Sequence, residues 1–476
     1  MSTARAIAKN FLSLTAANVV VKMLGLAVVL HLARALGPGD FGLANSAFAT
    51  VGYFAMLAHL GINSIAMSEL ARGKADRSLY ISNILSIKTV LGAAAFLLLV
   101  LLSFLSPSDR PDFRPLLLIY GLTIFTTNVL PPDWVFLSEE KTKYPAIATA
   151  GQAVLYAALI LCLISGPRDL VLIPCALLLA QTAATAYLFL IFRRRFPSVT
   201  LRFDLTLARG ILKETAPLGL SGIMAIIVSN TGLSMLGFVT NPEEAGYFSA
   251  AGKISGLFTE ALMAYGIIIL PPMARHYGEQ RHKVEKLINY TLKGLAVFGI
   301  PAAAGISVLA WKITPLIYGE RFMAAAPVLS LLIWSFILIF GSSVLYLVIV
   351  AAGRQNNLIK LTVIQAAAAL ALNALLIRAY GAYGAALATV LTGTLTLWMF
   401  LRETGKFLDV KVMDAFLKPG AAAAAMALAL FPLRGASLAL TIPLGAAVYA
   451  AAILVSGAIT REDAETFKRI LKRNDA

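Results

Sequence analysis

Apolar runs of about 18–26 residues, each closed by a short polar turn, recur along almost the whole 476-residue chain. At about 1.5 Å per residue each can cross a hydrocarbon core of about 30 Å. Fourteen are read, at about 11–36, 41–62, 81–105, 114–137, 144–165, 170–192, 215–239, 244–270, 288–310, 324–351, 358–377, 383–401, 417–433 and 438–457. With 59% hydrophobic and only 13% charged residues, the chain has too little polar surface for a soluble domain. An all-α integral membrane protein of about fourteen transmembrane helices is therefore expected, not a soluble enzyme. Lys22 in the middle of the first run, and the lack of a small-x-small cleavage site, mark it as a retained span and not a removed signal peptide.

The formal charge of +16 is topological and does not point to nucleic acid. With the N-terminus inside, the outer loops hold only Arg110, Arg114, Arg168, Lys312, Arg321, Arg378 and Arg434. The cytoplasmic segments hold most of the rest, including Arg193–Arg195, the Arg275–Lys286 loop and the tail around Lys468–Arg473. This is the positive-inside pattern, and it places both termini in the cytoplasm; a bacterial inner membrane is the expected location. Cys162 and Cys175 lie in apolar runs with no CxxC spacing and are expected to be buried, unreactive thiols. No phosphate loop, HExxH, His cluster or GxSxG is present, so neither ATP hydrolysis, a metal, a cofactor nor a catalytic nucleophile is expected.

The first six spans resemble the next six. Leu85–Lys88 matches Tyr290–Lys293, Lys141, Thr149 and Gln152 match Arg354, Thr362 and Gln365, and Arg193 matches Arg402. An even number of spans keeps both copies in one orientation, the architecture of a transporter with its substrate path at the repeat interface. The expected organisation is an N-lobe over 1–210, a C-lobe over 211–402, and two extra helices with a basic tail over 403–476, the two six-helix lobes surrounding a central cavity.

Several charges lie where lipid should be. Lys22 and Lys253 both fall near mid-membrane depth, where a lysine costs at least about 2.5–3.5 kcal/mol to insert. Thr15, Asn18 and Lys22 share a helical face, as do Lys253 and Glu260, while His31 and Arg34 sit toward the outer end of the first span. One reading is a cationic cavity for an anionic substrate, with Lys22, Lys253, Arg34, His31 and Asn18 as binding residues. The other is that the lysines pair with carboxylates or carbonyls and only hold helices together. Glu260 either carries a coupling ion or neutralises Lys253. Asn230 is read as a helix–helix hydrogen bond or a coupling residue, and Asp133 is a further coupling candidate. Lys88 and Lys293 are expected to snorkel to headgroups, and Pro131-Pro132 to kink span four.

Asp133–Lys141 resembles the tryptophan-aromatic signature that follows span four in the polysaccharide (O-antigen type) flippases of the multidrug/oligosaccharidyl-lipid/polysaccharide exporter superfamily. Leu36–Gly42 resembles their turn after span one, and Ala245–Ile254 their tyrosine-alanine-lysine stretch. Tyr318–Phe322, Ala352–Asn356 and Gly381–Ala386 follow in the family's order. Leu137-Ser138 stands where the family has Gln-Gly, Arg378 where a proline is common, and Asn230 where an acid is often found. The resemblance covers about residues 10–402. It implies two six-helix lobes that carry undecaprenyl-diphosphate-linked oligosaccharide from the cytoplasmic to the periplasmic leaflet. It also implies coupling to a proton or sodium gradient or the membrane potential, with membrane lipids, a polysaccharide polymerase and chain-length machinery as partners. A peptidoglycan-precursor flippase and an ion-coupled multidrug exporter are the alternatives within the superfamily, and a membrane glycosyltransferase or ligase lies outside it.

Overall fold

The computed structural model describes residues 3–72, 77–105, 110–197, 203–276, 281–410 and 412–458, and side chains within these except at 3–19, 263–276, 355–356 and 412–414. Among the described residues the regular structure is helical. In lipid every backbone amide needs a partner inside its own segment, and the helix provides it. Among the described residues, ten helical segments are long and apolar enough to cross a membrane. The elements are α1 (Thr3–His59), α2 (Ile62–Arg72), α3 (Arg77–Ser103), α4 (Phe113–Ile124), α5 (Asp133–Ser138), α6 (Lys143–Leu163), α7 (Leu172–Arg195) and α8 (Leu205–Val239). They continue as α9 (Pro242–His276), α10 (Arg281–Tyr318), α11 (Ala325–Leu332), α12 (Ser335–Ala351), α13 (Gln355–Thr404), α14 (Val412–Leu430) and α15 (Leu438–Val455). The chain is a multi-pass membrane protein.

Two of the longest elements are each a pair of helices joined without a loop. In α1 the break is Gly37, at φ 76° and ψ 178°, followed by Pro38. In α13 it is Gly381, at φ 52°. A side chain at either position would be strained, so glycine lets one helix run directly into the next. Both breaks fall in the stretches that carry the family resemblance. Elsewhere helices overrun the apolar spans: α8 starts at Leu205 because Asp204 caps it, its Oδ1 accepting the N–H groups of Thr206 and Leu207 at 2.8 and 3.0 Å.

The chain packs as two compact units, Met1–Gly246 and Tyr247–Ala476. The first extends one helix beyond the repeat boundary read at 210, because α8 lies along α1. Tyr53 donates to Thr231 Oγ1 at 3.2 Å and Asn230 donates to the Ala49 carbonyl at 2.9 Å. Gly42 meets the backbone of Pro242 and Gly246 so closely that a Cβ would stand 2.1 Å from the Pro242 carbonyl oxygen. A core cluster in this unit gathers Tyr80, Ile81, Ile84, Trp134, Phe136 and Phe192 from α3, α5 and α7.

In the second unit α10 packs against α11, α12 and α14. Tyr318 donates to the Ala250 carbonyl at 3.0 Å, and Ser255 and Ser335 share a hydrogen bond at 3.2 Å. The last two helices are integrated here through Tyr449, which donates to the Val297 carbonyl at 2.7 Å. The expectation that Cys162 and Cys175 are buried is not met, since both are exposed. In a membrane protein an apolar run reports only that its surroundings are apolar, and lipid meets that demand as well as protein does.

Candidate functional site

The C-terminal end of the first span carries an open cavity of about 520 Å³ lined by Ala27, Leu30, His31, Arg34 and Ala35. Consecutive turns of one helix face supply these residues, which is why the i, i+3, i+4 pattern brings His31 and Arg34 together. His31 donates its Nε2–H to the carbonyl of Ile164, at the end of α6, at 2.8 Å. That bond holds the ring at the wall and satisfies a carbonyl left over at a helix C-terminus. Arg34 is exposed, and Lys22, three turns earlier on the same helix, is also exposed. Asn18 and Thr15 lie where side chains are outside the described residues, as does the tail with Lys468–Arg473.

In the second unit Lys253 is exposed on α9, two turns from Glu260, and the two interact electrostatically. Their spacing of seven residues places them on one helix face, and Glu260 is accordingly a partner of Lys253. Asn230 binds a backbone carbonyl across a helix pair, the commoner of the two roles read for it. Asp133 opens α5 directly after Pro131-Pro132, and α4 ends before it in a π-helical turn, Phe125–Val129. The kink expected at the two prolines is present; the π-turn before it has no sequence signature.

Lys88 overturns an expectation. It does not snorkel: it is 1% exposed, and its Nζ donates to Asn63 Oδ1 at 3.1 Å. α3 packs against α1, α2, α4 and α8, and the Lys88 side chain is enclosed among them. Lys88 also interacts electrostatically with Asp133 and with His59 at the end of α1. His59, Asn63, Lys88 and Asp133 thus form a second polar cluster, which pattern reading missed because its members come from four elements.

Two carboxylates gather cations at helix ends. Glu139 pairs with Arg77 at 2.6 Å, Lys141 at 2.7 Å and Arg195 at 3.5 Å, joining α3, the α5–α6 turn and α7. Burial pushes its carboxyl up, but the hydrogen bond from Lys141 and the charges of Arg77, Lys141 and Arg195 outweigh that and hold it below the usual value. In the second unit Glu403 pairs with Arg354 at 3.7 Å and with Lys406, and accepts from Asn357 at 2.8 Å. Lys141 and Arg354 are partners in the sequence repeat, and each serves a carboxylate cluster in its own unit. Among the described residues no group of three or more His, Cys, Asp or Glu could hold a metal ion.

Broken helices and a cavity lined by His31 and Arg34 belong to a polytopic helical membrane protein. Solved structures share its fold. The lipid II flippase MurJ in an inward closed conformation superposes with a TM-score of 0.78 over 95% of this chain and 99% of that one, at 15% identity. An inward-facing MATE family multidrug resistance transporter of the MOP superfamily gives 0.62 over 81% and 95%, at 18% identity. The chain belongs to the polysaccharide biosynthesis protein family, whose model matches residues 7–277. A second model, lipid II flippase MurJ, matches residues 254–452. The lipopolysaccharide biosynthesis protein WzxC of Escherichia coli strain K12 is 25% identical over 334 residues, 66% of this chain and 64% of that protein. The alignment thus spans just under two thirds of that relative's own length.

Proposed function

We propose that this chain is a secondary transporter that flips an undecaprenyl-diphosphate-linked oligosaccharide from the cytoplasmic to the periplasmic leaflet of the inner membrane, for surface polysaccharide synthesis. The observation that carries the reading is the cationic first helix, in which His31 and Arg34 line a cavity of about 520 Å³ and Lys22 is exposed on the same helix. A diphosphate is the anion such a surface suits, and fork-shaped Arg34 is suited to grip two of its oxygens. Lys253 in the second unit is a further contact for the anionic headgroup. The lipid tail stays in the bilayer while the headgroup crosses.

Membership of a polysaccharide biosynthesis family and similarity to a lipopolysaccharide biosynthesis protein support the substrate class. The charge pattern of the loops supports fourteen spans with both termini in the cytoplasm, arranged as two six-helix repeats plus two helices. The chemistry is transport, driven by a proton or sodium gradient or the membrane potential, and needs no catalytic residue or bound cofactor. A polysaccharide polymerase and chain-length machinery are the expected downstream partners. The match of residues 254–452 to a lipid II flippase model favours one second reading, flipping of a peptidoglycan precursor, which is also a lipid diphosphate.

Reconstituted liposomes test this. Wild type is expected to move a fluorescent lipid-diphosphate oligosaccharide, with translocation reduced about tenfold or more in Lys22→Ala and in Arg34→Ala, since charge-assisted hydrogen bonds contribute about 1.5–3 kcal/mol. Unchanged rates in both folded variants would contradict the site. A marked preference for lipid II over glycans lacking its sugars would favour the second reading.

A further inference from the structure

Two helix junctions and one buried lysine meet within the Met1–Gly246 unit. After His59 the chain turns through Leu60 at φ 39° and Gly61 at φ 72° before α2 begins at Ile62. Close by, α4 unwinds through its π-turn and two prolines before α5 begins at Asp133. Lys88 of α3 is enclosed between these junctions and donates to Asn63, in the first turn of α2. Helix breaks and π-turns of this kind concentrate at functional sites, and half-helix ends at membrane depth are where transporters hold ions.

The chemistry of His59 narrows the ligand. Its Nδ1 accepts the backbone N–H of Gly61 at 3.2 Å, so the neutral ring carries its proton on Nε2. A second proton can add only at Nδ1, and adding it turns that acceptor into a donor and expels the Gly61 N–H. The gain of charge is therefore tied to the junction between α1 and α2. Asp133 attracts the imidazolium and Lys88 repels it. The lysine also disfavours sodium here, because a metal cation would need to settle beside its amine, whereas a proton goes onto a neutral nitrogen lone pair. The other titratable or charged groups on the elements packed here are Glu69, paired with Arg72 at 2.7 Å, on α2, Arg77 and Tyr80 on α3, Arg209, Lys213 and Glu214 on α8, Arg114 and Tyr120 on α4, Lys143, Tyr144 and Tyr156 on α6, and Glu139 just after α5.

We propose that His59, Asp133 and Lys88 form a proton-binding site, in which protonation of His59 at Nδ1 breaks the Gly61 N–H bond and loosens the α1–α2 junction. The proton is taken from water on one side of the membrane and is released to water on the opposite side as the junction closes. As the coupling ion it rests on the reading of a gradient-driven transporter; the test below uses no substrate, so the two can fail separately.

Trp134, fully buried and adjacent to Asp133, is the reporter. Replacing Trp311, Trp334 and Trp398 by Phe leaves it the sole tryptophan of the four. The full chain in lipid nanodiscs is titrated between about pH 4 and 8, a window that extends below the range in which a free histidine charges. One sigmoidal change in Trp134 emission is expected, and it disappears in His59→Gln, whose side-chain oxygen can still accept the Gly61 N–H. The midpoint moves up by about one pH unit in Lys88→Met and down by about one in Asp133→Asn, because a neighbouring charge shifts a titration by that order. Lys88→Arg, which keeps the charge, leaves it in place. A flat titration in wild type, a change that survives in His59→Gln, or a shift of the same sign in Lys88→Met and Asp133→Asn would overturn the proposal.

Discussion

At the scale of single residues, the strongest electrostatic arrangement outside the membrane-spanning helices is Glu139. One carboxylate serves three cations from different elements, and its side chain is 14% exposed. Because its folded pKa lies below the unfolded value, the stability it contributes is complete above the unfolded value of about 4.5 and is lost as pH falls through the folded one. Glu139→Gln is expected to lower stability at neutral pH by about 1 kcal/mol, a modest figure because the cations are partly exposed. It should also flatten the acid limb of the melting temperature between about pH 5 and 3. Thermal scans in detergent across that range check both; an acid limb as steep in the variant as in wild type would remove Glu139 from the account. Single residues are also where the sequence was least informative. Lys88 sits near a span end, as a snorkelling lysine would, and only the packing of α2, α4 and α8 around it decides that it is buried. Cys162 and Cys175 show the converse, since apolar neighbours along the chain say nothing about whether a neighbour in space is protein or lipid.

At the scale of elements, junctions matter more than spans. The spans were legible because apolar length has one physical meaning in a bilayer. The breaks at Gly37 and Gly381 were half-legible: the Leu36–Gly42 and Gly381–Ala386 stretches marked turns, but not that helix would resume at once on either side. The π-turn of Phe125–Val129 was invisible, because it depends on how α4 meets α3 and α7 and not on its own composition. Close packing offers an element-scale prediction. A Cβ on Gly246 would stand 1.9 Å from the Pro38 carbonyl oxygen, whereas one on Gly210 in α8 would meet nothing within 4 Å. Gly246→Ala is expected to cost about 1–3 kcal/mol, the usual range for overpacking, and Gly210→Ala to be neutral or stabilising. Melting temperatures of the two variants, measured side by side, check this. Equal values would mean that the first turn of α9 does not pack on α1 as closely as described.

At the scale of the whole molecule, the two units repeat one device: a carboxylate collecting cations at helix ends, Glu139 in one and Glu403 in the other. The pairing of Lys141 with Arg354 in the sequence repeat foreshadowed it, although the carboxylates themselves were not singled out. His31 and Arg34, singled out because charges in an apolar span are costly, share one cavity wall, whereas Lys22 lies outside its lining. The polar cluster around Lys88 was not legible, since no single stretch of chain contains it. The central claim is that the protein moves anionic lipid-linked glycans and not cationic drugs. The direct measurement is a side-by-side translocation assay in liposomes, with a fluorescent lipid-diphosphate oligosaccharide in one set and a lipophilic dye cation in the other. The account predicts translocation of the glycan and none of the dye; transport of the dye with an immobile glycan would contradict it.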